Sequence, residues 1–215
     1  MSLLLDNLAR KMQGHQPQLL KSRMPEAAVL LAVTKGNNPE VILTRRTQHL
    51  TSHPGQVAFP GGKRDKHDLN LYSTALREAE EEIGLNPWQV EPLGRLSDVI
   101  SLHGMKVTPY VALVPEALEF SLCEEELDAV FTVPIDWLLE DPRSHTDVIQ
   151  LTDTSKIYVP SYSFKEFTIW GLSAMMLVEF LQVGFNMPIN LYQQPEGKLL
   201  TRPLRPLPVF QTKNE

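Results

Sequence analysis

Arg77-Glu78-Ala79-Glu80-Glu81-Glu82-Ile83-Gly84-Leu85 is the stretch from which the rest of the chain can be ordered. It closes a segment in which Leu71, Tyr72, Ala75, Leu76, Ala79 and Ile83 recur at helical spacing. A helix is therefore expected to run up to a stop at Gly84, with Pro87 confirming its end. Either Asp68 or Asn70 can cap its start. Glu78, Glu81 and Glu82 fall at i, i+3 and i+4, on one face of that helix. Like charges at this spacing repel and weaken an isolated helix, so something cationic should compensate them. A hard divalent cation, Mg²⁺ or Mn²⁺, is the natural compensator, because it accepts carboxylates, carbonyls and water and also bridges phosphate oxygens. Arg77 can add positive charge by pairing with a carboxylate at the helix edge. Standing alone, such a cluster would mean only a solvated acidic face.

Upstream, Phe59-Pro60-Gly61-Gly62 forms a loop whose glycines let the backbone approach a ligand and leave the Gly61 carbonyl free to coordinate a metal. Before it, Ala27 to Thr34 and Val41 to Arg45 are apolar, β-branched runs separated by Lys35-Gly36-Asn37-Asn38-Pro39, which predicts a hairpin. Residues 1–20 read as an amphipathic helix with Leu4, Leu8 and Met12 on one side. Downstream, strands are expected at Gln89 to Arg95, Lys106 to Val114 and Val130 to Pro134, with a short helix from Ile135 to Glu140. Tyr158 to Ile169 reads as one or two strands, and Gly171 to Val183 as a buried helix. The tail from Pro188, with Pro195, Pro203, Pro206 and Pro208, is expected to lie extended on the surface or to be partly disordered. Strands on both sides of a central helix, with another helix near the end, predict an α/β/α sandwich with a mixed sheet. The expected organisation is a single domain over 1–215, its core at about 25–185.

Hydrophobic residues make up 42% and charged residues 21%, a composition that predicts a packed core. The net charge of -6 argues against a nucleic-acid polymer as partner, because such proteins display basic stripes that displace counterions. An anionic small molecule would need local positive charge from a metal ion or from placed Arg and Lys side chains. Cys123 can form neither an internal disulfide nor a multi-thiolate site and is read as structural. No segment has the length of a signal peptide or a membrane span, so a cytoplasmic protein without membrane association is expected.

The order of loop, cap and acidic helix resembles the Nudix family, whose signature is Gly, five residues, Glu, seven residues, then Arg-Glu-aliphatic-any-Glu-Glu-any-Gly-aliphatic. Here Gly62 is followed after five residues by Asp68, and after eight more by Arg77. The second half matches with Ala79 as the aliphatic residue, while the first half has one inserted residue and Asp for Glu. Asp68 is thus left to cap the helix or to pair with Arg77. The resemblance implies a Nudix-type sandwich. It also implies a divalent metal held by Glu78, Glu81, Glu82 and Gly61, with Arg77 and a loop carboxylate, Glu126, completing the catalytic set.

Ile42-Leu43-Thr44-Arg45-Arg46-Thr47, then Gly55, then Phe59-Pro60-Gly61-Gly62 is similar to the motif of the coenzyme A pyrophosphatase branch of that family. Ile42 and Thr47 are mild departures, whereas Thr51 stands where the branch has Arg, a loss of a group suited to bidentate phosphate binding. Arg45, Arg46, His53, Gly61 and Gly62 are the residues expected to meet substrate. Ile169-Trp170-Gly171-Leu172-Ser173-Ala174 also looks like that branch; Trp170 alone reads as core. His103, in a Gly-containing loop, could reach the site, although a lone loop His is more often solvent-exposed. The implied reaction is attack of water on a diphosphate, with coenzyme A giving 4'-phosphopantetheine and adenosine 3',5'-bisphosphate. ADP-ribose, a sugar nucleotide or an oxidised nucleotide stays open as substrate, as does a catalytically silent nucleotide-binding regulator. The expected partner is a small-molecule diphosphate, with a homodimer left open.

Overall fold

The computed structural model describes residues 3–50, 53–151 and 155–202. The expectations placed on Thr51 and on Pro203, Pro206 and Pro208 lie outside them. The N-terminal helix is shorter than expected, Leu3–Gly14 (α1), and buries Leu5, Leu8 and Met12 rather than a stripe through Leu4. Beyond it Pro17 has no amide to donate, and the amides of Gln18 and Leu20 are drawn to Ser97 Oγ at 3.0 Å and Asp98 Oδ2 at 2.8 Å. Those bonds replace the ones a longer helix would have made.

The predicted hairpin is present as Glu26–Thr34 (β1) and Glu40–Arg46 (β2), antiparallel through Val33 and Val41. The two strands then part. Val57–Ala58 (β3) pairs with β2 at Thr44 and Arg45, while Gly61–Lys63 (β4) pairs with β1 from Ala27 to Val29. The Phe59-Pro60 link therefore lies in the fork of the hairpin, and the Pro60 carbonyl accepts from Leu30 N at 2.8 Å.

Helix Leu71–Ile83 (α2) follows, then Glu91–Arg95 (β5), Val99–Ile100 (β6), Lys106–Val114 (β7), Leu127–Pro134 (β8) and Ile135–Leu139 (α3). The strand expected from Gln89 starts later because Pro87–Gln89 forms a 3-10 turn capped by Asn86. β7 lies parallel to β1 from Glu26↔Lys106 to Thr34↔Val114, whereas β5 and β6 run antiparallel to β7 and β8 antiparallel to β2. The sheet is mixed, ordered β3-β2-β1-β7-β5.

A second sheet was not foreseen. It contains Arg143–Gln150 (β9), Lys156–Phe164 (β10), Phe167–Ile169 (β11) and, beyond helix Gly171–Phe185 (α4), Leu199–Arg202 (β12), in the order β11-β10-β9-β12. The proline-containing tail thus contributes a strand, parallel to β9, in place of a purely irregular run.

Side chains alternate across the first sheet and give three layers. Ala28, Leu30, Ala32 and Ile42 meet Ala75, Ala79 and Ile83 of α2 on one face. Leu31, Val33, Val41 and Leu43 meet Leu5 and Leu8 of α1 and Leu177 and Leu181 of α4 on the other. The fold is the α/β/α sandwich with a mixed sheet. Among the described residues no helix is long and apolar enough to cross a membrane.

Candidate active site

Both ends of α2 are fixed by its own residues. Asn70 Oδ1 accepts from Ser73 N at 3.0 Å and Ser73 Oγ accepts from Asn70 N at 3.0 Å, a reciprocal capping box. Gly84 ends the helix in the left-handed conformation, φ 71°, with its amide on the Glu80 carbonyl at 2.9 Å. Of the two candidate caps, Asn70 does that work and Asp68 is free for another.

Asp68 pairs with Arg77. Arg77 Nε and Nη2 donate to its two carboxylate oxygens at 3.0 and 3.1 Å, and Nη2 also donates to the Lys63 carbonyl at 3.1 Å. The same guanidinium meets Glu78 Oε1 and Glu81 Oε2, each at 2.9 Å. The hydrogen bond from Arg77 holds Asp68 well below the usual carboxylate range, and Asp68 in turn pushes Arg77 above its ordinary value. Arg77 therefore fastens the β4 segment and the loop before α2 to two of the three glutamates.

The third glutamate is different. Glu82 is 5% exposed, and its Oε2 accepts from the Gly61 amide at 2.9 Å. Burial pushes its pKa up to about 7; the Gly61 amide opposes that shift, and the neighbouring Glu78 adds to it. Burial also raises Glu78, against the pull of Arg77. Gly61 can hold this position only without a side chain: its φ is 153°, and a Cβ would stand 2.3 Å from the Ala28 carbonyl oxygen.

Gly62 backs onto Glu78, where an added Cβ would lie 2.4 Å from Oε2. Because the clash is with the end of a flexible side chain, Gly62→Ala should leave the melting temperature nearly unchanged yet displace the Glu78 carboxylate. We expect kcat to fall by about tenfold or more with little change in thermal unfolding, a split read by steady-state kinetics beside calorimetry.

Two further residues join from the β2–β8 side. Cys123 N donates to the Glu82 carbonyl at 3.0 Å, and Thr47 N donates to the Glu126 carbonyl at 2.9 Å, so the loop bearing Glu126 is tied to the end of α2 and to β2. Glu126 Oε2 lies 3.9 Å from Arg46 Nη1. Arg46 favours ionised Glu82 and Glu126 disfavours it, which places all three in one electrostatic neighbourhood. Arg46 Nε is buried without a hydrogen-bond partner among the described residues.

Arg45, its neighbour on β2, faces the other way: its Nε donates to Asp128 Oδ1 at 2.6 Å and its guanidinium lies 5.0 Å from the Phe167 ring centroid. The structure does not bring Arg45 to the carboxylates, because adjacent strand residues point to opposite faces. His53 stands on the neighbouring loop with Nδ1 2.7 Å from Gln56 Oε1. The tie of Glu126 to α2 and β2 had no signal in the sequence, whereas the alternation separating Arg45 from Arg46 did.

The donors on this face are carboxylate oxygens, the set a hard divalent cation takes. Among the described residues no three His, Cys, Asp or Glu side chains already converge on one point, since Arg77 draws Glu78 and Glu81 to itself. Buried Glu82, with like charges beside it and a single amide donor, is the observation that fits a cation here.

A three-layer sandwich with an acidic helix against a glycine loop defines a class, and the comparisons identify it. The NUDIX domain profile matches residues 24–152, and the chain belongs to the Nudix hydrolase family. The uncharacterized Nudix hydrolase NudL of Escherichia coli is 37% identical over 187 residues, which cover 85% of this chain and 96% of NudL. NudL of Shigella sonnei matches to the same extent, 37% over 187 residues. Among solved structures, a MutT/nudix family protein from Enterococcus faecalis is 14% identical with a TM-score of 0.49, covering 85% of this chain and 69% of that one. The Nudix hydrolase RenU from M. smegmatis is 25% identical with a TM-score of 0.45, covering 54% of this chain and 74% of its own. The chain is thus a hydrolase of a small-molecule nucleoside diphosphate derivative, in a family that generally uses divalent metal ions.

Proposed function

We propose that the chain hydrolyses the diphosphate of coenzyme A or its derivatives, releasing 4'-phosphopantetheine and adenosine 3',5'-bisphosphate. The observation that carries this reading is the unit formed by β2, the following loop and the Phe59–Gly62 link. Arg46 N donates to the Gln56 carbonyl at 3.0 Å and Gly55 N, at φ 67°, donates to the Arg46 carbonyl at 3.1 Å. These bonds close the loop at its base, and the Arg46 side chain lies beside Glu82 and Glu126 with one guanidinium nitrogen unpartnered. A buried unpartnered guanidinium donor beside the carboxylates suits a phosphate oxygen. Thr51 brings no guanidinium, which leaves Arg46 to carry that contact.

Glu78, Glu81 and Glu82, with the Gly61 carbonyl, would hold Mg²⁺ or Mn²⁺, which when bound neutralises phosphate charge and lowers the pKa of water. The remaining work falls to the chain's own residues. The Gly61 amide orients Glu82, Arg77 orients Glu78 and Glu81, and Arg46 neutralises charge on the diphosphate. Glu126, half-exposed and fixed by its loop, takes a proton from the attacking water. Positioning and charge stabilisation supply most of the acceleration, since phosphoryl transfer leaves little covalent work for side chains. One buried cluster runs from Leu5 and Leu8 through Leu31 to Ile157, Val159 and Tyr162 of the second sheet, which supports reading the chain as a single Nudix domain.

A Mg²⁺- and Mn²⁺-dependent hydrolysis panel of coenzyme A, an acyl-coenzyme A, ADP-ribose, a sugar nucleotide and a nucleoside triphosphate tests the proposal. Coenzyme A or its acyl form should have the highest kcat/KM. A preference for ADP-ribose of about tenfold or more would overturn the substrate while leaving the reaction class intact. No cleavage at all would make the chain a silent nucleotide-binding regulator.

A further inference from the structure

His53 and His103 come from two different loops and meet edge to face, with ring centroids 4.8 Å apart and planes at 83°. We infer that the pair forms a two-imidazole site for Zn²⁺, separate from the oxygen donors on α2. His53 is prepared for such a role in two ways. Its backbone holds φ 56°, a left-handed conformation uncommon for a non-glycine residue, so its direction is set by the loop rather than by local preference. Its Nδ1 also lies 2.7 Å from Gln56 Oε1; with that oxygen accepting, Nδ1 carries the proton and Nε2 keeps its lone pair for a metal. An imidazole whose second nitrogen is tied to a carbonyl-type oxygen is how metal-binding histidines are ordinarily oriented.

His103 is exposed on a tight turn, closed by bonds from Ser101 N to the Met105 carbonyl and from Gly104 N to the Ser101 carbonyl, both at 2.9 Å. Among the described residues no hydrogen bond or ion pair engages its ring, so the exposed ring is free to rotate out of the edge-to-face contact and bring one nitrogen to an ion beside His53 Nε2. Imidazole nitrogen suits Zn²⁺, whereas the carboxylates of α2 suit Mg²⁺ or Mn²⁺, and the two sites therefore differ in the ion they prefer. Two protein ligands leave the remaining positions to water, so the ion would exchange. Its occupation would tie the β6–β7 turn to the loop that the Arg46 and Gln56 backbones close.

The test is calorimetric titration of Zn²⁺ into the full chain equilibrated with excess Mg²⁺, on wild type, His103→Ala and His53→Gln. One Zn²⁺ site is expected in wild type, with affinity lowered by about tenfold or more in each variant. A Zn²⁺-dependent rise in Tm should vanish with it. His103 is exposed, so His103→Ala should unfold at the wild-type temperature without Zn²⁺, and that variant decides the matter even if His53→Gln is destabilised. Equal Zn²⁺ affinity in wild type and His103→Ala, or no binding by wild type, would overturn the inference.

Discussion

Glu82→Gln should lower kcat at saturating Mg²⁺ by on the order of 10² or more while the protein remains folded. The substitution is nearly isosteric, and the amide oxygen of Gln can still accept from the Gly61 amide, which lies 2.9 Å from Glu82 Oε2. What disappears is one negative charge from a face whose purpose, on this reading, is to hold a cation. The same buried charge should cost stability when no metal is present. Burial pushes Glu82 up to about 7 in the folded chain, above its ordinary value of 4.5, so the native state holds this proton more tightly than the unfolded state. Stability therefore falls as pH rises from the unfolded value through about 7, by on the order of 3 kcal/mol. In metal-free buffer the wild type should melt lower at pH 8 than at pH 5, whereas Glu82→Gln should show a flatter profile and melt above wild type at pH 8. Near-normal activity in Glu82→Gln would remove this residue from the metal set.

How much of this could be read beforehand depends on how local the determinants are. α2 was legible because its caps, its apolar stripe and its glutamates all sit within one segment, from Asn70 to Gly84. β1 and β2 were legible from β-branched residues and a turn rich in Gly and Asn. β9 was not: Thr146 and Asp147 are polar yet buried, and Asp147 is tolerated there because Arg202 Nε, far along the chain, donates to its Oδ1 at 2.8 Å. A strand whose buried charge is neutralised by a distant partner carries no alternating pattern to detect. The same long-range pairing hid β12 in a tail that its prolines marked as irregular. In the site, the glutamates, the two glycines and Arg46 were visible as residue types. The pairing of Asp68 with Arg77 stayed one of two alternatives, because a loop conformation brings them together.

Arg77→Ala should cost about 2–3 kcal/mol of stability, below the 3–5 kcal/mol typical of a fully buried pair because the Arg77 side chain is 29% exposed. For a chain of this length that corresponds to a fall in Tm of roughly 5–10 °C. The cost arises at Asp68, whose side chain is only 6% exposed and which would keep the Thr74 hydroxyl, at 2.8 Å, and the Asp65 amide, at 2.9 Å, but no cation. Asp68 has a depressed pKa in the folded state, so its contribution is present above the ordinary carboxylate range and is lost as pH falls through the folded value. The gap between wild type and Arg77→Ala should accordingly narrow as the pH is taken down below 4. Activity should fall as well, since Glu78 and Glu81 lose the guanidinium that aims them. Arg77→Lys separates the two effects: it restores a charge near Asp68 but cannot reproduce a fork that reaches Asp68, Lys63, Glu78 and Glu81 together. Lys should therefore recover more of the stability than of the rate. Recovery of both to the same extent would mean that Arg77 acts through its charge alone, and the geometric role assigned to its guanidinium would have to be given up.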